Sequence, residues 1–132
     1  MSTTIIELEK AKVSLETSIQ LLKHFEQKDS ANTELHKALR DACIQRFEFC
    51  MELAWKVSIK ILGLDTKAPN PAIRDMAQNN LIDDTQIWFE FLLARNKTSH
   101  SYDEDVARAV YKEAERIVPE LNMLVTRLKK IK

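Results

Sequence analysis

The chain has 132 residues, of which 45% are hydrophobic and 30% are charged, a balance typical of a globular domain. Its twenty basic and twenty acidic residues cancel, so no overall charge draws it to nucleic acid or to an anionic membrane. One glycine and three prolines are too few for the turns of an all-β fold or for a glycine-rich phosphate loop.

Apolar residues recur at helical spacing through almost the whole chain. We predict a first helix over about 3–28 and a second over about 32–62, which Gly63 ends as a C-cap. A proline-containing link, Asp65–Pro71, separates the second helix from a short helix through Ile73–Asn80.

Two further helices are predicted in the second half of the chain. Asp83 begins the first of them, because Gln86 follows three residues later as in a capping box, and this helix extends to about Asn96. The acidic run Asp103–Asp105 favours the positive start of a last helix. The pattern therefore predicts a single all-α domain over 1–132, an up-and-down antiparallel four-helix bundle with a short extra helix.

The second helix has more apolar surface than one bundle core needs. Its apolar arc covers roughly 240° of the circumference, and only a narrow strip stays polar. That strip consists of Asp41, Gln45, Glu48, Glu52 and Lys56. A second copy of the chain would bury the excess, so we expect a homodimer; the alternative is that the short helix or a helix end covers it.

Two arginines lie inside apolar arcs, Arg46 on the second helix and Arg95 on the fourth. A guanidinium that cannot reach water is costly unless it is paired. For Arg46, in mid-helix, a structural ion pair with a neighbouring helix is the favoured interpretation. For Arg95, close to a helix end and a polar turn, a functional role competes equally with a structural pair.

The polar turn after Arg95 brings several chemically useful side chains into one short segment. If the helix ends near Asn96, His100 folds back beside Arg95. Such a group suits phosphodiester chemistry without a metal: His100 as general acid and base, Arg95 neutralising phosphoryl charge, Asn96 orienting the substrate. RNA would supply its own nucleophile, the 2′-hydroxyl. The ordinary alternative for His100 is a solvated histidine at a helix end.

The segment Arg95-Asn96-xxx-His100-x-Tyr102 resembles the R-N-x-x-x-H-x-Y signature of the HEPN superfamily. The stretches Ile44–Phe49 and Glu52–Lys56 are similar to the second helix of one branch, the nucleotidyltransferase substrate-binding subunits. Order and spacing agree from about residue 10 to 125. The two segments together are specific, whereas the short signature alone is ambiguous.

This resemblance implies a dimerising four-helix bundle that forms a hetero-oligomer with a minimal nucleotidyltransferase subunit. Related members are the toxins of toxin–antitoxin pairs, in which paired R-x4-H motifs cleave RNA and the nucleotidyltransferase silences the toxin by adding AMP to the motif tyrosine. Carried onto this chain, Arg95, Asn96 and His100 would be catalytic and Tyr102 would be modified.

The charge around the motif argues against a free-standing ribonuclease. Residues 81–105 contain six acidic and two basic residues, a net charge of −4, which is a poor electrostatic funnel for RNA. Compensation would come from the C-terminal cations Arg127, Lys129, Lys130 and Lys132, or from the second-helix cations Arg40, Arg46, Lys56 and Lys60. Of these we expect Arg46 and Lys56 to contact the substrate.

Three functions follow from the sequence. The first is a binding and regulatory subunit of a two-component nucleotidyltransferase system, with RNA or a nucleotide in a cleft between two copies. The second is a metal-independent endoribonuclease toxin neutralised at Tyr102, and the third is a purely structural dimeric bundle. We expect no cofactor and no metal; a zinc site in particular is not expected, because the cysteines Cys43 and Cys50 form no CxxC pair. Reduced cysteines and the absence of a long apolar run suit a cytoplasmic protein without a membrane span.

Overall fold

The computed structural model describes residues 4–131, and within them the chain is all-helical, a helical bundle without strands. Five helices follow one another with one 3₁₀ turn: α1 (Ile5–Lys28), α2 (Thr33–Leu62), α3 (Pro69–Gln78), α4 (Thr85–Asn96), the turn Thr98–His100, and α5 (Glu104–Ile131). None of these helices is both long and apolar enough to cross a membrane.

The ends of α1 and α2 follow from their capping residues. Thr4 and Glu7 form a reciprocal capping box at the start of α1, since the Thr4 hydroxyl accepts from the Glu7 amide and the Glu7 carboxylate accepts from the Thr4 amide. The predicted start of this helix, at residue 3, lies outside the described residues. Asn32 caps α2, and Gly63 ends it in the left-handed conformation with φ of 68°.

Helix α3 begins earlier and ends earlier than predicted. It starts at Pro69, because a proline in the first helical turn gives up no backbone hydrogen bond that the helix needs and its fixed φ suits the helix. The predicted link Asp65–Pro71 is therefore too long. The helix ends at Gln78 and not at Asn80, because Asn80 adopts a positive φ of 62° that breaks the helical path.

The capping residue of α4 is Asp84, so the prediction of Asp83 is wrong by one position. The Asp84 carboxylate accepts from the amides of Gln86 and Ile87. Asp83 is instead engaged by Arg127 of α5, with an Nη1–Oδ1 distance of 2.8 Å. From the sequence alone, either of the two adjacent aspartates could cap the helix. Arg127 on α5 decides between them, because it engages Asp83 and leaves Asp84 as the cap.

The apolar arc of α2 is covered largely within the chain. Helices α3, α4 and α5 as well as α1 pack against α2, and its large apolar side chains Phe47, Met51 and Trp55 are buried. The short helix α3 thus takes part in covering the arc, as the alternative to a homodimer has it, and the homodimer stays a prediction. Phe49 is the large apolar side chain of α2 that stays exposed, with 60% of its surface open.

Polar pairs at the surface show how α1 and α5 are aligned with each other. Lys129 contacts Glu9 at 2.7 Å, Lys12 donates to Asn122 at 2.6 Å, and Lys23 lies 3.2 Å from Glu115. Positions that rise along α1 thus pair with positions that fall along α5.

The two cysteines, both on α2, are buried and free. Burial raises the pKa of Cys43 to about 11 and that of Cys50 to about 12. Both side chains therefore stay protonated at neutral pH and pack as small apolar groups.

The left-handed end of α2 yields a test of local backbone strain. Gly63→Ala should lower the free energy of unfolding by about 1 kcal/mol, because alanine resists a positive φ. Crowding is not the cause, since among residues 4–131 no atom outside the adjacent backbone lies within 4 Å of the added methyl carbon. Gly63→Asn should lower the free energy of unfolding by a smaller amount, since asparagine tolerates this conformation. Urea denaturation followed by circular dichroism measures both. An alanine variant as stable as the wild type would contradict the strain argument.

Candidate functional site

The motif lies where α4 ends and the chain turns into α5. Helix α4 ends at Asn96, as predicted, and the Lys97 amide donates back to the Ala94 carbonyl. The Thr98 hydroxyl donates to the Arg95 carbonyl at 2.9 Å, which ties the 3₁₀ turn to the last turn of α4. Asp103 caps α5 by accepting from the amides of Asp105 and Val106. The turn is therefore closed on both sides by hydrogen bonds.

Arg95 faces α2, where it meets two carboxylates one helical turn apart. Its Nε lies 2.7 Å from Glu52 Oε1, and its Nη2 lies 3.6 Å from Glu48 Oε2. The Nε–H is not aligned for a hydrogen bond, since this buried atom has no hydrogen-bond partner within residues 4–131. The contact is thus an ion pair without directed hydrogen bonds. About 29% of the Arg95 side chain remains open to solvent.

A groove of about 470 Å³ adjoins this ion pair. Its lining consists of Ser14, Gln45, Arg46, Glu48, Phe49, Glu52 and Arg95. A second groove of about 470 Å³ on the turn side shares Gln45 and Glu48 with it and is also lined by Thr98 and Ser101. The motif arginine therefore has both a carboxylate partner from its own chain, as the structural interpretation requires, and an adjoining cavity, as the functional one requires.

The predicted ion pair of Arg46 is wrong. Its Nε donates to the Ser14 hydroxyl of α1 at 2.9 Å and its Nη1 donates to the Ala42 carbonyl at 3.3 Å. Among residues 4–131 no carboxylate lies within 4 Å of this guanidinium, because Glu48 and Glu52 approach Arg95 instead. Arg46 thus lies in the same groove as Arg95 with its charge uncompensated.

His100 and Tyr102 lie together on the surface beyond the groove. Both are exposed, Tyr102 with 86% of its surface, and their rings meet edge to face with centroids 6.2 Å apart. Within residues 4–131 no hydrogen bond or ion pair joins His100 to Arg95. Asn96 is also exposed. The structure therefore pairs His100 with Tyr102 and Arg95 with α2, and it does not bring all of the motif side chains into contact.

Lys56, the second predicted substrate contact, lies at the edge of this cluster. Its Nζ is 3.2 Å from Glu52 Oε2 and 5.5 Å from the centre of the Trp55 ring. Glu52 thus shares its charge between Lys56 and Arg95. Part of the positive charge that the sequence offered for a substrate is consequently held by a carboxylate of the same helix.

Cations from other helices compensate part of the acidic flank. Asp83 pairs with Arg127, Glu90 with Arg116, and Glu104 with Arg40, the last through two hydrogen bonds of 2.7 and 3.1 Å. The hydrogen bonds from Arg40 lower the pKa of Glu104 below its usual range, and those from Arg127 do the same for Asp83. Of the C-terminal cations, Lys129 pairs with Glu9, and Lys132 lies outside the described residues.

Sequence reasoning missed the roles of Glu48 and Glu52. Both belong to the polar strip of α2, which the helical pattern indicates as a solvated face. The signal that could have found them is their i, i+4 spacing, since two carboxylates one turn apart form a receptor for a guanidinium from a neighbouring helix. Among residues 4–131 no group of three or more His, Cys, Asp or Glu side chains is arranged to hold a metal ion.

Comparisons with known proteins agree with this architecture. A family model described as "Nucleotidyltransferase substrate binding protein like" matches residues 4–130. A protein of Haemophilus influenzae named probable ribonuclease HepT is 28% identical over 130 residues, which cover 92% of this chain and 89% of that protein.

Two solved structures share the fold. One, from Haemophilus influenzae, is described as revealing the fold of a substrate binding domain of a nucleotidyltransferase. It is 27% identical and covers 95% of this chain and 98% of its own, with a TM-score of 0.85. A crystal structure of a protein from Thermus thermophilus is 26% identical, covers 87% of this chain and 98% of its own, and has a TM-score of 0.67.

The Arg40–Glu104 bridge beside the motif predicts a measurable change of pKa. Removing the guanidinium in Arg40→Gln should raise the pKa of Glu104 toward its ordinary value, because Arg40 is the main cause of the lowering. A group with a depressed pKa stabilises the fold above its ordinary pKa, and this contribution is lost as the pH falls through the depressed value. The stability difference between wild type and variant should therefore vanish in acid.

Carboxyl NMR titration of Glu104 checks this expectation. Arg74→Gln is the matched control, because it removes an exposed arginine whose guanidinium lies over the Phe89 ring and away from Glu104. A Glu104 that titrates identically in the wild type and in Arg40→Gln would show that the bridge does not form in solution.

Proposed function

Because the chain belongs to the nucleotidyltransferase substrate binding protein family, we propose that it is the binding and regulatory subunit of a two-component minimal nucleotidyltransferase (HEPN–MNT) system in the cytoplasm. In this proposal a separate minimal nucleotidyltransferase subunit supplies the transferase chemistry. Two copies of this chain, each an up-and-down antiparallel four-helix bundle, form a cleft that receives RNA or a nucleotide. The opposed register of α1 and α5 supports the antiparallel bundle.

The observation that carries this proposal is the ion pair of Arg95 with Glu48 and Glu52. A free-standing ribonuclease needs the motif arginine to stabilise phosphoryl charge as the reaction proceeds. Here two carboxylates of the same chain already balance that charge, and the turn-side groove is lined by Asp41 and Glu48. A subunit that binds and regulates together with a partner fits this arrangement better than an enzyme working alone.

The modification site of the proposal is Tyr102. Its phenol is open to solvent, as transfer from a second protein requires. The phenol oxygen would attack the α-phosphorus of ATP, the bond to the β-phosphate oxygen would break, pyrophosphate would leave, and the phenol proton would pass to a base. The product would be AMP joined to Tyr102 through a phosphodiester.

Incubation with a cognate minimal nucleotidyltransferase and with ATP tests the proposal. We expect a stable hetero-oligomer by size-exclusion chromatography with light scattering, and an added AMP moiety by mass spectrometry. Tyr102→Phe should abolish the adduct. Tyr111→Phe is the matched control and should leave it unchanged, because the Tyr111 phenol is half-buried and donates to Glu115. An adduct that survives Tyr102→Phe, or a partner that does not bind, would contradict the proposal.

A second candidate function is a metal-independent endoribonuclease toxin, favoured by the relative named probable ribonuclease HepT. In this reaction the RNA 2′-hydroxyl oxygen would attack the adjacent phosphorus and the 5′-oxygen would leave. His100 would take the first proton and return one to the leaving oxygen, Arg95 would balance the phosphoryl charge after leaving its carboxylates, and Asn96 would orient the substrate.

RNA cleavage in the presence of a metal chelator separates the two functions. If the chain is the toxin, His100→Ala should lose about 10²- to 10⁴-fold of the cleavage rate and should relieve growth arrest. His24→Ala, which changes an exposed histidine of α1 outside the motif, should behave as the wild type. Undiminished toxicity of His100→Ala would remove the proposed chemistry, whereas no cleavage by the wild type would leave the regulatory function.

A further inference from the structure

Arg46 and Phe49 stand on the boundary between two adjoining grooves. The groove of about 470 Å³ beside Arg95 and another of about 300 Å³ toward the start of α1 share Ser14, Arg46 and Phe49 in their linings. Arg46 and Phe49 are three residues apart on α2, so their side chains are neighbours on one helix face. A chain-like ligand lying along the two grooves would pass over both side chains.

The Arg46 guanidinium is held in place and keeps its charge available. Ser14 and the Ala42 carbonyl accept hydrogen bonds from Nε and Nη1, which orients the planar group without neutralising it. Within residues 4–131, Nη2 has no hydrogen-bond partner. This contrasts with Arg95 in the same groove, which two carboxylates hold. An anion that enters the groove therefore finds at Arg46 a cation that has no carboxylate partner among residues 4–131.

Phe49 adds an aromatic surface at the same point. Its side chain is 60% exposed, although phenylalanine is ordinarily buried, and the core of the bundle does not use it. Lys10 contributes a further positive charge to the smaller groove, while Glu7 of the same lining is engaged by the capping box at Thr4. An exposed ring beside an unpaired guanidinium is the combination that binds nucleotides, since the ring stacks on a base and the guanidinium takes a phosphate.

We propose that Arg46 and Phe49 form a binding subsite for one nucleotide unit, with the base stacked on the Phe49 ring and the phosphate held by Arg46. The unit comes either from a free nucleotide or from single-stranded RNA. The subsite rests on the proposed function in that it names the ligand class of the same cleft. The subsite adds Phe49 to the residues proposed to bind the ligand. It also assigns the phosphate of the nucleotide unit to Arg46, whereas Arg95 is paired with carboxylates.

Fluorescence anisotropy with a labelled single-stranded oligoribonucleotide, and competition by unlabelled AMP, tests the subsite. Phe49→Leu and Arg46→Gln should each weaken binding by roughly 5- to 150-fold. Phe49→Trp should retain binding, because it keeps a stacking surface. Arg46→Gln should also make the dependence of log Kd on log salt shallower by about 0.7, whereas Phe49→Leu should leave that slope unchanged.

Two matched controls lie outside the grooves. Arg74→Gln removes an equal charge from an arginine that also lies over an aromatic ring, and Leu93→Ala removes an equally exposed apolar side chain from α4. Both should bind RNA as the wild type does. Displacement by AMP would identify the free nucleotide as a sufficient ligand, and RNA binding that AMP does not disturb would identify the strand.

Light scattering and partner binding on the same variants make the outcome decisive. Wild-type affinity in Phe49→Leu or Arg46→Gln would overturn the subsite, as would a wild type that binds neither ligand. A Phe49→Leu variant that falls from dimer to monomer would also overturn it, because Phe49 would then be covered by a second copy. If the nucleotidyltransferase does not bind but RNA binding still depends on both residues, the proposed function fails and the subsite stands.

Discussion

Arg95 joins the end of α4 to the middle of α2 through two carboxylates one helical turn apart. The groove beside it is lined by residues of both helices, and the motif turn follows directly through the hydrogen bond from Thr98 to the Arg95 carbonyl. All three charged side chains keep about a quarter or more of their surface in water. Such a pair contributes only about 0–1 kcal/mol, because solvent screens it.

This weakness matters for the proposed function. A deeply buried pair would cost several kcal/mol to open, so it could not be exchanged for a substrate. The pair at Arg95 can be opened at a small cost when a phosphate or a partner offers the guanidinium an equal or better contact. The lack of an aligned hydrogen bond at its Nε points the same way, since no directed bond has to be broken. In the free chain the charge of Arg95 is balanced by Glu48 and Glu52, and a phosphate or a partner protein could take their place. This property suits a subunit that a partner regulates.

The sequence predicts the helices well because their ends are local. The boundaries at Asn32, Gly63 and Asn96 depend on side chains and backbone angles within a few residues, and all three are confirmed. The limits of α3 at Pro69 and Gln78 are also local, although the prediction misplaced them. The other errors concern choices that only packing decides. The sequence pattern does not distinguish Asp83 from Asp84 as the cap. In the folded chain Arg127 of α5 engages Asp83, so Asp84 caps the helix. The same limit applies to the candidate site. The helical pattern does not tell whether Glu48 and Glu52 pair with Arg46 or with Arg95. That choice depends on the rotation of α2 relative to α4, and it is opposite to the expectation for Arg46.

The charge around the motif also depends on how the helices pack against one another. Summed along residues 81–105, the net charge of −4 discourages RNA, yet Asp83, Glu90 and Glu104 each face an arginine from α2 or α5. Their fields are therefore largely cancelled at the distance of a ligand, because paired opposite charges act as dipoles whose influence falls off quickly. What still opposes an anion is the acid close to the grooves, namely Asp41, Glu48 and Glu52. An anion would accordingly be attracted more by Arg46, which has no carboxylate partner among residues 4–131, than by Arg95, whose charge Glu48 and Glu52 already balance.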